Sequence, residues 1–70
     1  MMIYKNRIKE LREQNDVTQL EVANYLGCST YNLSRYERGI RKADYEYLIL
    51  LSQYFKVTIN YILCDDGFGG

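Results

Sequence analysis

Four polar side chains between positions 30 and 35 recur at a spacing that would place them on one face of a helix: Thr30, Tyr31, Ser34 and Arg35. The neighbouring apolar residues Leu33 and Tyr36 would face the opposite way. A guanidinium group can bind the O6 and N7 acceptors of guanine, while hydroxyl groups and rings can meet other base edges or thymine methyl groups. The pattern therefore predicts a helix that reads base edges in duplex DNA. Two simpler interpretations stay open, that Tyr31 only shields the edge of the core and that Arg35 contacts only phosphate.

Other polar and basic residues nearby are candidates for contacts with the phosphate backbone. Gln19 stands in the first turn of the preceding predicted helix, where its amide and adjacent N–H groups can hold a phosphate. The remaining candidates lie in and after the reading helix: Asn32, Arg38, Arg41 and Lys42. Such contacts would fix the register and add salt-dependent affinity without selecting a sequence.

Two short helices joined by a tight turn must position these residues. Thr18 can begin the first helix as its cap, and Glu21 three residues later completes a capping box. Gly27 can end that helix, Ser29 can cap the next, and Gly39 can end the second one. The predicted bounds are residues 18–26 and 29–37. This layout is typical of a helix-turn-helix reader of DNA.

Three further helices are predicted, over residues 4–15, 44–55 and 58–63. The first is indicated by apolar residues at three- and four-residue spacing, and Asp44 and Thr58 are the expected caps of the other two. The core stripe of the helix over 44–55 is predicted to contain Tyr45, Leu48, Leu51, Ser52 and Phe55. Residues 1–64 would form the domain, and residues 65–70 a flexible tail.

Length and composition favour one small helical domain without a cofactor. The chain has 70 residues, no proline and no histidine. Its two cysteines, Cys28 and Cys64, lie far apart and form no CxxC motif, so neither a metal site nor a disulfide scaffold is expected. Without a histidine base, a glycine-rich phosphate loop or a metal-spaced ligand set, the chain is not expected to be an enzyme.

Neither a membrane span nor an export signal is expected from the sequence. No apolar run approaches the roughly 20 residues that cross a bilayer. The N-terminus lacks the apolar region and small-residue cleavage site of a signal peptide. The cytoplasm is the expected location.

The net charge of zero argues at first against a nucleic-acid binder, but the charges are unevenly distributed. Residues 1–12 carry four cations against Glu10, and residues 29–42 carry four against Glu37. The local sign along a binding face matters more than the total charge. The competing interpretation is ordinary solvated charge.

The whole pattern resembles the Cro/repressor type of helix-turn-helix regulator, the xenobiotic-response-element family of bacteria and phages. The resemblance covers about residues 3–64 and is carried by short elements in a fixed order. These elements are Ile8-Lys9-Glu10-Leu11-Arg12, Val17-Thr18-Gln19, Ala23-Asn24-Tyr25-Leu26-Gly27, Leu33-Ser34-Arg35-Tyr36-Glu37-Arg38-Gly39, Tyr54-Phe55-Lys56-Val57 and Tyr61-Ile62-Leu63. The family implies an all-α, lambda-repressor-like domain of five helices with a central helix-turn-helix that binds specific DNA, usually as a dimer.

The resemblance also assigns roles to individual residues. It places Thr30, Tyr31 and Arg35 at base-reading positions and pairs Arg12 with Glu37, although two independent surface charges remain an alternative. The chain departs from the family in Ala43, where a proline is common before the acidic cap, and in Leu20, where a polar residue is usual.

A second stripe on the helix over 44–55 would lie opposite its predicted core face: Tyr47, Leu50 and Tyr54. With Tyr61, these residues predict a dimer or partner surface; surface tyrosines without a role are the alternative. Two functions follow from the sequence. The first is a DNA-binding transcriptional regulator, expected to be a repressor acting as a homodimer on a near-palindromic operator. The second is an antitoxin or other protein-interaction module on the same fold.

Overall fold

A computed structural model describes residues 4–64, which form a succession of five helices. The helices are α1 (Ile8–Gln14), α2 (Gln19–Leu26), α3 (Thr30–Glu37), α4 (Tyr45–Phe55) and α5 (Ile59–Ile62). The expected all-helical architecture is confirmed. The predicted flexible tail, residues 65–70, lies outside the described residues. Among the helices described, none has both the length and the apolar character needed to cross a membrane.

Local hydrogen bonds define the turn between α2 and α3. The capping box predicted for α2 is confirmed, since Thr18 Oγ1 accepts from the N–H of Glu21 at 3.1 Å and Glu21 Oε1 accepts from the N–H of Thr18 at 2.8 Å. Gly27 ends α2 in the left-handed region with a φ of 78°. Ser29 Oγ then accepts from the N–H of Asn32 at 3.1 Å and begins α3. Cys28, between these caps, packs against the core, and burial raises the pKa of its thiol.

The chain before α1 is not helical, so the helix begins at Ile8 and not at residue 4 as the spacing of apolar residues indicated. Long-range bonds fix this segment instead. The N–H of Tyr4 donates to the carbonyl of Gly39 at 2.9 Å, and Asn6 Nδ2 donates to the carbonyl of Tyr36 at 2.8 Å. Asn6 Oδ1 also accepts from the N–H of Ile8 at 3.0 Å, which satisfies the first amide of the helix.

Every helix contributes to one buried core. The α2 helix packs against α3 and α4, α1 packs against α3, and α4 packs against α5. The buried residues are Ile8, Leu11, Val22, Ala23, Leu26, Leu33, Tyr36, Leu48, Leu51 and Ile62. Because Leu33 and Tyr36 belong to this core, the opposite face of α3 is directed to solvent.

The prediction that Tyr45 belongs to the core stripe of α4 is wrong, because 69% of its surface is exposed. Tyr45 is the first residue of the helix, next to the cap position of Asp44, and is absent from the residues that pack against the core. Asp44 has the extended backbone of a cap residue, but its carboxylate accepts no capping hydrogen bond. The other members of the predicted stripe are buried or half-buried.

Two left-handed residues at helix ends should respond in opposite directions to substitution. Gly27→Ala should lower the free energy of unfolding by about 1–2 kcal/mol, because a Cβ is strained at positive φ. It should do so even though the added Cβ would meet no atom within 4 Å. Lys56 ends α4 with a φ of 57°, so Lys56→Gly should raise the free energy of unfolding. Urea denaturation of both variants would test this, and a shift of the same sign in both would contradict it.

Tyr36 gives a testable pH dependence. Burial raises the pKa of its hydroxyl, which the Coulombic effect of nearby Arg41 only partly opposes. The folded-state pKa of Tyr36 lies above its unfolded value. The contribution of its protonated hydroxyl to the free energy of unfolding is therefore full below about pH 10. It is lost as the pH rises through the folded pKa. Above about pH 10, the free energy of unfolding of Tyr36→Phe should therefore fall less steeply with pH than that of the unsubstituted protein. Chemical denaturation at a series of pH values would measure this. Tyr45→Phe, which alters an exposed ring, is the control, and equal slopes for both variants would refute the expectation.

Candidate nucleic-acid interface

The four predicted base-reading residues share the solvent-facing side of α3. Thr30 and Tyr31 are exposed in its first turn, while Ser34 and Arg35 are partly exposed one turn later. On the opposite side, Leu33 is fully buried. The amino-terminal half of a recognition helix is the part that reaches base edges in a major groove. The geometry of α3 therefore suits the role that the sequence predicts, which stays a prediction at the level of individual bases.

Two of these side chains contact each other. The guanidinium carbon of Arg35 lies 5.5 Å from the centroid of the Tyr31 ring, within the range of a cation–π interaction. The ring is 68% exposed and is absent from the core. The residues are spaced i, i+4, which alone indicates that they are neighbours on a helix surface.

The predicted phosphate-binding cations surround the carboxyl-terminal end of α3. Arg38, Arg41 and Lys42 are exposed, and the loop that carries the last two folds back so that the N–H of Arg41 donates to the carbonyl of Arg35 at 3.4 Å. Within residues 4–64, none of these three cations forms an ion pair, and neither does Arg35. Their charges are thus available to an external anion. Asn32 is half-buried, and its N–H is used by the cap of α3.

Gln19 has a partner that the sequence did not predict. Its Nε2 donates to Glu37 Oε1 at 2.9 Å, so the side chain links the start of α2 to the end of α3. The backbone N–H groups of Gln19 and Leu20 meet no acceptor within residues 4–64. The phosphate contact assigned to Gln19 would therefore rest on these N–H groups and the other polar atoms of its amide.

The structure brings Arg12 and Glu37 together in an ion pair. Arg12 Nε donates to Glu37 Oε2 at 2.7 Å, and Arg12 Nη2 lies 3.4 Å from Glu37 Oε1. Only 2% of the Glu37 side chain is exposed, against 15% for Arg12. Arg12 Nη1 also donates to the carbonyl of Val17 at 3.2 Å. The Glu37 carboxylate thereby joins α1, α2 and α3, while Arg12 adds the loop before α2, and the two charges do not act as independent surface groups.

The predicted exposed stripe on α4 is wrong in its geometry. Tyr47, Leu50, Tyr54 and Tyr61 are half-buried and pack against the core. The Tyr47 ring contacts Tyr36 with 5.6 Å between centroids, and the Tyr54 ring lies 4.7 Å from Tyr25. Both sides of α4 are covered because α2 and α3 supply aromatic rings on the side that the sequence left to solvent.

The contact between Arg7 and Tyr61 is visible only in the three-dimensional structure. The guanidinium of Arg7 lies 4.2 Å from the centroid of Tyr61, which joins the chain before α1 to α5. No local pattern indicates this pair, since the two residues are far apart in sequence.

The exposed apolar residues in the structure are Tyr4, Leu20, Tyr25, Tyr31, Ile40, Tyr45 and Leu63. They differ from the stripe that periodicity predicted.

The fold and the exposed, hydrogen-bonding face of α3 are those of a helix-turn-helix domain. A helix-turn-helix family model matches residues 8–62, and the chain belongs to this family. The resemblance to regulators of the Cro/repressor type is thereby confirmed.

Relatives with known names include both regulators and an antitoxin. The chain is 43% identical over 65 residues to antitoxin PezA of Streptococcus pneumoniae serotype 4, covering 93% of this chain and 40% of that protein. It is 40% identical over 60 residues to the HTH-type transcriptional regulator ImmR of Bacillus subtilis, covering 86% of this chain and 47% of that one. The chain thus spans less than half the length of these two relatives.

A solved structure shares the fold. The P22 c2 repressor, crystallised in complex with a synthetic operator, superposes with a TM-score of 0.78 and 27% sequence identity. The match covers 86% of this chain and 91% of that one.

Removing Arg12 should be unusually destabilising for a side chain near the surface. Arg12→Ala leaves the Glu37 carboxylate buried without its cation, so the free energy of unfolding should fall by about 3 kcal/mol. Lys9→Ala removes an exposed cation of the same helix and should change it by less than about 0.5 kcal/mol. Chemical denaturation compares the two variants, and equal losses would mean that the ion pair contributes nothing specific.

Proposed function

We propose that this chain binds specific sequences of double-stranded DNA and regulates transcription as a repressor. It would act as a homodimer on a near-palindromic operator, with α3 of each copy in a major groove. The observation that carries the proposal is the solvent-facing side of α3, where hydrogen-bonding side chains and unpaired cations project from a helix anchored in the core. The complex of the P22 c2 repressor with an operator supports the same role for the same fold.

In this proposal the side chains divide into two groups by their task. Thr30, Tyr31, Ser34 and Arg35 would contact base edges, with Arg35 bound to a guanine. Contacts with phosphate would come from a second group: Gln19, Asn32, Arg38, Arg41 and Lys42. The role is one of binding in the cytoplasm, with no cofactor and no catalytic step.

A selection of DNA fragments from a random duplex library tests sequence-specific binding. The protein should recover a near-palindrome whose half-sites lie about 10 base pairs apart. Arg35→Ala should lose selectivity at one base position in each half-site and weaken binding to the selected DNA by about 1–3 kcal/mol. Lys42→Ala should instead weaken binding to all sequences alike and lower the salt slope by about one.

Lys9→Ala is the matched control for both variants, because it removes an exposed positive charge from α1 outside the proposed interface. It should recover the same motif with the same selectivity as the unsubstituted protein. DNA recovered without a motif, and released equally by all variants as the salt concentration rises, would contradict specific readout. The result would then indicate electrostatic contact alone.

A second candidate function is that of an antitoxin that binds a protein partner. The similarity to PezA over most of this chain favours it. A module that binds only protein should show no salt-sensitive affinity for duplex DNA. Titration of DNA at two salt concentrations therefore separates the DNA-binding regulator from a module that binds only protein.

A further inference from the structure

The contact between Tyr31 and Arg35 carries an inference that rests on the proposed function and deepens it. We infer that Tyr31 is a positioning residue for Arg35, so that selection of guanine depends on the aromatic ring as well as on the guanidinium group. The operator would then contain, in each half-site, a guanine whose recognition is lost when either side chain is removed.

The environment of the Tyr31 ring is the first support for this role. A tyrosine that is 68% exposed contributes little to the core, and this ring is absent from the hydrophobic cluster. Among residues 4–64, its contact with a charged group is the one with Arg35, at 5.5 Å. The ring therefore forms part of the exposed surface of α3 and is not needed for packing.

The second support is that Arg35 has no other partner for its charge. Within the described part of the chain, its guanidinium forms neither an ion pair nor a side-chain hydrogen bond. A long, flexible side chain without a partner samples many rotamers, and ordering them opposes binding. A ring beside the guanidinium limits that sampling before DNA is met.

At 5.5 Å from the ring centroid, the guanidinium of Arg35 can face the Tyr31 ring and keep its hydrogen-bonding edge available. When a guanidinium group stacks on an aromatic ring through its planar face, its N–H donors point outward in that plane. Those donors match the adjacent O6 and N7 acceptors of guanine. The same contact can thus hold the group and leave its donors directed at a base.

The neighbouring arginines differ in this respect. Arg41 lies 6.0 Å from the ring of Tyr36, but that ring belongs to the core. Arg38 donates from Nε to the carbonyl of Ser34 at 3.4 Å, so part of its donor set is turned back to the helix. On α3, the combination of an exposed ring and an otherwise unpaired guanidinium is found at Tyr31 and Arg35.

The experiment uses modified guanines in the selected operator duplex. The guanine that Arg35→Ala no longer distinguishes is replaced by 7-deazaguanine, which lacks the N7 acceptor in the major groove. Inosine at the same position is the matched control, because it lacks only the exocyclic amino group in the minor groove. The proteins compared are the unsubstituted chain, Tyr31→Phe, which keeps a ring, Tyr31→Leu, which does not, and Arg35→Ala.

The unsubstituted chain and Tyr31→Phe should bind the 7-deazaguanine duplex about tenfold more weakly than the normal one. For Tyr31→Leu and Arg35→Ala the loss should shrink to less than about twofold, because guanine is then no longer held through both acceptors. Inosine should weaken none of them. Tyr31→Leu should keep the salt slope and the denaturation midpoint of the unsubstituted chain, since the ring is exposed.

The outcomes separate this inference from the proposed function. Tenfold sensitivity retained by Tyr31→Leu overturns the positioning role while leaving specific DNA binding in place. Loss of sensitivity in Tyr31→Phe overturns the assignment to the ring, because it would point to the hydroxyl group. Failure to select any motif overturns the proposed function and the inference with it.

Discussion

The buried carboxylate of Glu37 is the point on which the arrangement of the first three helices depends. It stands at the last residue of α3, where the helix dipole disfavours a negative charge. Its burial is tolerated because Arg12 and Gln19 both donate to it, from the last turn of α1 and the first turn of α2. A buried ion pair adds little net stability compared with apolar packing, but the loss of one partner is costly. The effect of the pair is therefore geometric, since it holds α3 at a defined position relative to α1 and α2.

Because α3 is held from its buried side, the charged side chains on its outer side do not need partners within the domain. Leu33 and Tyr36 anchor α3 in the core. Within residues 4–64, no ion pair involves the four cations on and after its outer side, Arg35, Arg38, Arg41 and Lys42. The net charge of zero is therefore a poor guide to the electrostatic field near α3. Binding of a polyanion depends on the local concentration of positive charge along the contacting face. The distribution of charge in this chain is compatible with DNA binding in spite of the neutral total.

How far the sequence predicts the structure depends on the distance between the residues that determine each feature. The caps at Thr18, Ser29 and Thr58 involve atoms three residues apart, so a local pattern is sufficient to predict them. The non-helical segment before α1 is fixed by the bond between Asn6 and Tyr36, which are 30 residues apart, and apolar spacing placed the start of the helix too early. In α4 the apolar residues occur on nearly all sides, so their periodicity cannot select the buried face. For the interface, local spacing placed the outward residues of α3 on one face, and the Arg12–Glu37 pair was predicted from the family resemblance. The link from Gln19 to Glu37 followed from neither.

The backbone and the side chains of α3 contribute differently to recognition. The cap at Ser29 fixes one end of the helix and the contacts of Glu37 fix the other, so we expect the backbone of α3 to need little adjustment on binding DNA. What remains variable is the conformation of exposed side chains, and immobilising each long one opposes binding by about 0.5–1.5 kcal/mol. In the proposed arrangement, the contact between Tyr31 and Arg35 would reduce that cost for both side chains, because each would restrict the other in the free protein. Under the proposed function, specific readout would depend both on a rigid helix and on an ordered pair of side chains on its surface.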